Sequence, residues 1–178
     1  FSPSVQVGGT TASGVAKLDG FAGPSGVTIN LLSHHAILTV PATVKVASQT
    51  SSKAFAAPTL GVNSDTAATA TGTFGATSLN AGITIKKATL LNFTGPATLH
   101  AGQTGTYTIR LNGNAGNLGT VYTFNSGGGT GPATAKVPAG GVAVAFTVKA
   151  PSLAIGSTFV VKVTGPTGDT GTVTVTVN

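Results

Sequence analysis

The side chains best suited to chemistry are three aspartates and three histidines, and their spacing scatters them along the chain. Asp19, Asp65 and Asp169 are the only acidic residues in the sequence. Catalysis by paired carboxylates needs two acids held close together, and a Ca²⁺ site usually needs several. Each aspartate instead precedes a Gly or a Thr beside a predicted strand end, where Asp commonly forms turns. We therefore interpret all three as turn formers.

The histidines do not form a metal-ligating pattern either. His34 and His35 are adjacent at a predicted strand end, so their side chains point to opposite faces, and His100 lies in the other half of the chain. The chain has no Cys, which excludes thiolate ligands and a thiol nucleophile. The sequence contains neither a Gly-x-Ser-x-Gly nucleophile elbow nor a phosphate loop. We predict no enzyme activity, no cofactor and no metal ion.

The charge, aromatic content and hydropathy of the chain limit the kinds of partner that it can bind. Only 7% of the residues are charged, against about a quarter in a typical domain, and the net charge of +6 arises mainly from the lack of acids. Only Lys86 and Lys87 are adjacent, and the chain has no Trp and two Tyr, so a nucleic-acid surface is not predicted. No run is apolar enough and long enough to cross a membrane. The low charge, the abundant Thr and the start at Phe1 lead us to expect a mature exported protein, extracellular or at the cell surface.

The elements that position these residues occur twice. Residues 16–33 align without a gap with residues 109–126, and a second match joins residues 41–46 to residues 132–137. In each copy a strand leads into an Asp-Gly or Asn-Gly turn, a Gly-rich connector and a second alternating strand. The identical pairs in the first match are Leu18/Leu111, Gly20/Gly113, Ala22/Ala115, Gly23/Gly116, Gly26/Gly119 and Ser33/Ser126. We therefore predict two domains, residues 1–87 and 88–178.

The pattern within each copy is typical of β-sandwiches. Short segments alternate apolar and polar residues, as Val27, Ile29 and Leu31 do, and Gly, Pro and Asn separate them. We predict an all-β fold of two tandem immunoglobulin-like antiparallel β-sandwiches of about seven strands each. The strand near residues 4–7 belongs either to its own sandwich or to an arm that pairs elsewhere. Residues 126–131, Ser-Gly-Gly-Gly-Thr-Gly, are expected to form a flexible loop.

Three segments carry a resemblance to a known family. Residues 26–33, 38–46 and 51–55 read GVTINLLS, LTVPATVKV and SSKAF. They resemble the tandem bacterial immunoglobulin-like (Big-type) repeats of secreted and surface proteins, which typically read GVTVTLSS, LTVPASVTV and TSATF. The match covers most of the first domain and is looser in the second, where Gly-rich insertions replace the middle. The resemblance implies an extracellular β-sandwich used as a spacer, stalk, adhesin segment or assembly unit, without catalytic residues.

The outward strand positions suggest the first hypothesis for function. They carry Thr, Ser, Ala and Gly rather than Lys and Glu. Few charged side chains are therefore present to oppose edge-to-edge association of strands. We therefore predict a self-assembling structural subunit of a fibre, sheath or surface layer, a homopolymer formed by β-strand pairing between subunits. Residues 4–7 are the preferred donor strand, because a flexible Gly8-Gly9 hinge follows them. The candidate assembly residues are Ser4, Val5, Gln6, Val7, Thr174, Val175, Thr176 and Val177.

The alternative is a non-catalytic spacer, adhesion or carbohydrate-binding module pair from a larger surface protein. Cell-surface glycans would then be the partner. Glycan binding usually uses exposed aromatic side chains, and Tyr107 and Tyr122 are the only tyrosines. Tyr122 aligns with the apolar Ile29 of the first copy, so we expect it in the core.

Overall fold

All regular elements of the chain are β-strands. The computed structural model describes every residue from Phe1 to Asn178 and contains fifteen strands. Contacts divide the chain into unit 1, Phe1–Lys87, and unit 2, Ala88–Asn178. The prediction of an all-β fold of tandem immunoglobulin-like sandwiches is confirmed.

Unit 1 contains seven strands in two sheets. The five-stranded sheet has the order β1-β7-β6-β3-β4, and the second sheet pairs β2 with β5. All pairs are antiparallel except β1 with β7, which is parallel. The strands are β1 (Val5–Val7), β2 (Thr11–Lys17), β3 (Val27–Ser33), β4 (Thr43–Val46), β5 (Ser52–Pro58), β6 (Thr66–Phe74) and β7 (Thr77–Lys86).

The two sheets of unit 1 bury their facing side chains against each other. Every second residue of β2 is buried, as expected for a strand with one face on the core. Ala12 of β2 and Ala57 of β5 share one cluster with Ile83 and Ile85 of β7. A second cluster joins β2 to β3 and β4 through Ala16, Ile29, Val44 and Val46.

Unit 2 contains eight strands in two sheets. One sheet has the order β13-β10-β8, and the other has the order β12-β11-β14-β15-β9. The pair of β9 with β15 is parallel, as β1 with β7 is in unit 1. The strands are β8 (Leu90–Thr94), β9 (Thr98–Leu99), β10 (Thr104–Leu111), β11 (Thr120–Asn125), β12 (Thr134–Val137), β13 (Ala143–Lys149), β14 (Thr158–Thr164) and β15 (Thr170–Val177).

The core of unit 2 is richer in aromatic side chains. Tyr107 of β10 stacks on Phe93 of β8 and on Phe146 of β13, with ring centroids 5.9 and 6.1 Å apart. Phe124 meets the edge of Phe146 at 4.8 Å. The valines of β14 and β15 cover this cluster from the facing sheet. Aromatic pairs of this kind add to the stabilisation that burial alone provides.

The duplicated turn has the same backbone geometry in both units. The N–H of Gly26 donates to the oxygen of Gly23, and the N–H of Gly119 to the oxygen of Gly116, both at 2.8 Å. The φ angles of Gly26 and Gly119 are 73° and 72°. A Cβ at either position would lie within 2.7 Å of the oxygen of Val46 or 2.5 Å of that of Val137. Both copies therefore need glycine here for backbone reasons.

The predicted loop at residues 126–131 is a hydrogen-bonded turn, and its flexibility stays a prediction. The N–H of Gly129 donates to the oxygen of Ser126 at 3.1 Å, and Thr130 exchanges hydrogen bonds with Lys149 of β13 at 2.8 and 2.9 Å. A Cβ on Gly129 would lie 2.5 Å from the oxygen of Lys149. The glycines allow close backbone approach in a tight turn, and sequence alone does not separate that use from flexibility.

Candidate assembly and adhesion surfaces

The proposed donor strand, residues 4–7, is an edge strand of its own unit. β1 pairs with residues 84–86 of β7, and the N–H of Thr84 donates to the oxygen of Ser4 at 2.9 Å. Val5 is 48% exposed, and Gln6 and Val7 are partly buried. The sequence left open whether this strand belongs to its own sandwich or to an arm that pairs elsewhere. In the structure it belongs to its own sandwich. Its use in pairing between subunits stays a prediction, and it would require β1 either to leave β7 or to accept a partner at its other edge.

The Gly8-Gly9 segment after β1 is a packed turn rather than a hinge. Gly8 is buried, its N–H donates to the oxygen of Lys86 at 2.9 Å, and a Cβ there would lie 2.6 Å from the oxygen of Leu60. Gly9 has a φ of 84°. The hydroxyl of Thr10 donates back to the oxygen of Val7 and closes the turn. This packing argues against the flexible hinge for which we preferred residues 4–7 as the donor, and the preference itself stays a prediction.

The other candidate residues, 174–177, lie inside a sheet. Thr174 and Thr176 pair with β14, and Thr176 and Val177 also pair with β9. Val175 and Val177 are 0% and 1% exposed and belong to the core of unit 2. Neighbouring strands already occupy both edges of β15 at Thr176 and Val177. Their role in assembly stays a prediction.

Asp169 is the centre of a polar cluster in unit 2. Its carboxylate accepts hydrogen bonds from the Tyr122 hydroxyl at 2.9 Å, the Leu90 N–H at 2.7 Å and the Thr167 hydroxyl. Burial tends to raise the pKa of this carboxyl, but the three hydrogen bonds outweigh burial and hold the pKa below its usual value. Burial and the Asp169 carboxylate raise the pKa of Tyr122. This carboxylate ties β8 and β11 to the turn before β15, which is a structural role.

Asp65 and Asp19 are separate from that cluster. Asp65 accepts hydrogen bonds from the Lys86 ammonium at 2.6 Å and the Lys87 N–H at 3.0 Å, and its side chain is 51% exposed. The hydrogen bond from Lys86 is the main reason why the pKa of Asp65 lies below its usual value. Asp19 lies exposed in the bend after β2. Asp19 and Asp65 belong to unit 1, and Asp169 belongs to unit 2.

Two of the histidines make polar contacts within their own units. His34 Nε2 lies 2.6 Å from the Thr71 hydroxyl, and His100 Nδ1 lies 2.9 Å from the oxygen of Asn178. No three His, Asp or Glu side chains converge as metal ligands. An open depression of about 490 Å³ is lined by residues between Leu31 and Ala42, including His34 and His35. It contains no carboxylate to act as a partner for either ring.

Both tyrosines are fully buried. Tyr107 and Tyr122 are 0% exposed, so neither offers a ring for stacking against a sugar. The Tyr107 hydroxyl has no hydrogen-bond partner, and burial raises its pKa. The exposed large apolar side chains are Val5, Val15, Phe21, Leu32, Leu60, Phe74, Leu79, Leu91, Leu118, Val121, Val142, Leu153, Ile155 and Val160. Of these residues, sequence reasoning singled out only Val5, because the pattern of residue types alone does not show which apolar side chains the fold leaves uncovered.

Comparisons with known proteins give structural neighbours of low sequence identity. No protein-family model and no curated protein matches the chain. The Yersinia pseudotuberculosis adhesin InvE is 18% identical over 99% of this chain and 57% of its own, with a TM-score of 0.43. A titin fragment, A168–A169, is 14% identical over 98% of this chain and 94% of its own, with a TM-score of 0.37. The structure contains no helix of the length and hydropathy needed to cross a membrane.

One neighbour supports the fold assignment directly. The structure of invasin, described as a bacterial integrin-binding protein, is 13% identical over 95% of this chain, with a TM-score of 0.51. This chain spans 40% of the invasin chain and 57% of the InvE chain, about half the length of these neighbours. Two tandem immunoglobulin-like β-sandwiches are therefore the architecture that the chain shares with invasin.

Proposed function

We propose that the chain is a non-catalytic pair of immunoglobulin-like domains, of the bacterial Big type, that serves adhesion in an extracellular surface protein. The observation that carries the proposal is the likeness to invasin over 95% of the chain, because that protein is an integrin-binding protein of bacteria. The chain corresponds to 40% of the invasin chain. The proposal therefore concerns an adhesion segment and its spacing role, and leaves the activity of any larger protein open.

The placement of the polar side chains supports a non-catalytic role. General acid–base catalysis needs a carboxylate or an imidazole aimed at a substrate cavity. Asp169 and Asp65 instead accept hydrogen bonds from backbone and side-chain donors of their own unit. The open depression beside His34 and His35 lacks a nucleophile oriented by a base.

The free end of the β6–β7 hairpin offers the best contact surface for a partner. Phe74 pairs with Thr77 and Gly72 with Leu79, so Phe74 and Leu79 lie on the same face of the hairpin. They are 52% and 70% exposed. Leu31 of β3 pairs with Gly72 and extends this apolar face towards the core. Adjoining exposed apolar side chains commonly mark interaction sites.

The test couples the full chain to fluorescent beads and measures binding to cultured animal cells. We expect saturable binding that weakens strongly when Phe74→Thr and Leu79→Thr are combined. Phe21→Thr with Ile155→Thr is the matched control, because it removes one phenylalanine and one aliphatic side chain from other surfaces, both more exposed at 77% and 83%. No saturable binding by the unchanged chain would overturn the adhesion proposal. Equal weakening by both double variants would overturn the assignment of the hairpin surface.

Self-assembly by strand pairing is the second candidate. It is favoured by the outer edge of β1, which has no charged side chain and leaves Val5 48% exposed. Static light scattering and negative-stain electron microscopy test it, with Val5→Lys expected to abolish any polymer because a charge at an edge opposes strand addition. Val121→Lys is the control, since Val121 is similarly exposed on β11, which has neighbours on both sides. A monomer of 17.2 kDa at all concentrations would exclude this candidate.

A further inference from the structure

In each unit a strand near the amino end lies parallel to the last strand of the same unit. In unit 1 the first strand, β1, pairs with β7 through Val5 opposite Thr84, Gln6 opposite Ile85 and Val7 opposite Lys86. In unit 2, β9 pairs with the last strand, β15, over two residue pairs. Backbone hydrogen bonds therefore join the amino-terminal part of each unit directly to its carboxyl end.

Tension between the two ends of unit 1 loads the β1–β7 pair in shear. Pulling at Phe1 draws β1 towards its amino end, and pulling at Lys87 draws β7 towards its carboxyl end. Because the strands are parallel, these two forces pull them past each other. The hydrogen bonds between the strands run across the direction of sliding and are strained together rather than one after another.

The hydrogen bonds of this pair are regular. The N–H of Thr84 donates to the oxygen of Ser4, and the N–H of Gly8 donates to the oxygen of Lys86, both at 2.9 Å. Backbone groups alternate in direction along a paired strand, so Gln6, midway between Ser4 and Gly8, also directs its N–H and oxygen towards β7. Gln6 is therefore the central residue of the load-bearing pair.

The two ends of unit 1 are attached unequally. At the carboxyl end, Asp65 accepts hydrogen bonds from the Lys86 ammonium at 2.6 Å and from the Lys87 N–H at 3.0 Å. Asp65 lies just before β6, so tension at Lys87 passes to β6 as well as to β7. At the amino end, β1 has in addition only the bridge between Ser2 and Ser13 before it. The weaker attachment of unit 1 is therefore at β1.

Unit 2 has more attachments at its amino end. The N–H of Thr89 donates to Asn112 at 2.9 Å, and the N–H of Leu90 donates to the Asp169 carboxylate at 2.7 Å. β8 then pairs with β10 over four residue pairs, and its Phe93 stacks in the aromatic core. Tension at the amino end has to break these contacts before it reaches β9 and β15.

We propose that the chain is a load-bearing element, in which the β1–β7 pair is the force clamp of unit 1 and unit 1 unfolds at a lower force than unit 2. Opening of unit 1 releases 87 residues, an extended length of up to roughly 290–310 Å. This added length relaxes the tension while unit 2 is still folded. The inference rests on the strand pairing within each unit and holds whether or not the chain serves adhesion.

The test stretches the full chain at constant force in an optical trap. The chain has no Cys, so one Cys added at each end attaches the two handles specifically. We expect two unfolding events, each of which releases the length of one unit. Gln6→Pro removes the central N–H of the clamp and should raise the rate of the lower-force event about tenfold.

Two matched controls isolate the backbone contribution. Gln6→Ala keeps the N–H and removes only the side-chain hydrogen bond to Thr10. Val5→Pro makes the same substitution at a residue whose N–H faces away from β7. Both should change the rate under force by less than Gln6→Pro does. An equal change in Gln6→Pro and Val5→Pro would overturn the clamp.

A third control separates resistance to force from stability in urea. Ile29→Val removes one methyl group from the cluster that joins β2 to β3 and β4, so it should lower stability in urea and leave the rate under force nearly unchanged. Equal rates under force for Gln6→Pro and Ile29→Val would also overturn the clamp. Asp169→Asn should speed only the higher-force event. If it speeds the lower-force event instead, the proposed order of unfolding is overturned.

Discussion

Gln49 is the only residue other than glycine with a positive φ, at 61°. Its counterpart in unit 2 is Gly140, with a φ of 69°. The two positions are equivalent because the N–H of Gln49 donates to Ala22 at 3.0 Å and the N–H of Gly140 donates to Ala115 at 2.9 Å. The pair therefore allows the conformational cost of a side chain in this turn to be measured in both directions.

The expected magnitudes follow from the left-handed backbone. A side chain there costs about 1–2 kcal/mol, and replacing it by glycine loses about 0.4–1 kcal/mol through the greater freedom of the unfolded chain. Gln49→Gly should therefore raise the free energy of unfolding by about 0.5–1 kcal/mol. Gly140→Gln should lower it by a similar amount. A Cβ on Gly140 would have no atom within 4 Å, so the change tests backbone strain without a steric clash.

The assay uses urea unfolding with two probes. The chain has no Trp, and both tyrosines lie in unit 2, so tyrosine fluorescence reports on unit 2 while far-ultraviolet circular dichroism reports on both units. Gln49→Gly should shift only the dichroism transition, and Gly140→Gln should shift the fluorescence transition. Ser48→Gly is the control for Gln49→Gly, since Ser48 has no positive φ and should only lose stability. A loss of stability in Gln49→Gly equal to that in Ser48→Gly would refute the reasoning.

Three further predictions concern unit 2. Tyr107→Phe should leave the free energy of unfolding unchanged or raise it by about 1 kcal/mol, because the buried hydroxyl has no hydrogen-bond partner. Tyr122→Phe should lower it by about 1–2 kcal/mol, because that hydroxyl donates to Asp169. Urea unfolding measures both. The folded pKa of Asp169 is lower than its unfolded pKa near 3.8, so the ionised side chain stabilises the fold above pH 3.8 and loses this effect as pH falls through the folded pKa. Asp169→Asn should therefore make the free energy of unfolding of unit 2 less dependent on pH in the acid range. Gly127→Ala should destabilise unit 2 by about 2 kcal/mol or more in thermal unfolding, because its Cβ would collide with the oxygen of Val160, while Gly128→Ala meets no atom and should cost less.

The fold was largely predictable because its signals are local. Alternating Thr and Val in β15, with Val175 and Val177 buried, follows directly from the two-residue period of a strand. The Gly-rich connector was predictable from its repetition at Gly26 and Gly119. The number of strands in each sheet was not, because β8 in unit 2 has only the Ser2–Ser13 bridge as its counterpart in unit 1.

The candidate sites were harder to predict, since they depend on contacts between distant residues. Asp169 was interpreted as a turn former, but its bonds to Tyr122 and Leu90 span 47 and 79 residues. The Gly8-Gly9 pair was interpreted as a hinge, yet its packing against Leu60 follows from the path of a remote segment. Neither contact leaves a sequence signal beyond the residue types themselves.

The two units reach the same packing with different residues. Tyr107 fills the centre of its sheet in unit 2, and Gly14 stands at the equivalent position in unit 1, where the ring of Phe55 takes the space that a side chain would occupy. Phe1 then packs against Phe55 from the chain end. Since volume rather than identity is preserved in such cores, the repeat signature reports the fold and says little about function. The exposed apolar face of the β6–β7 hairpin, with Phe74 and Leu79, is therefore where we expect partner binding.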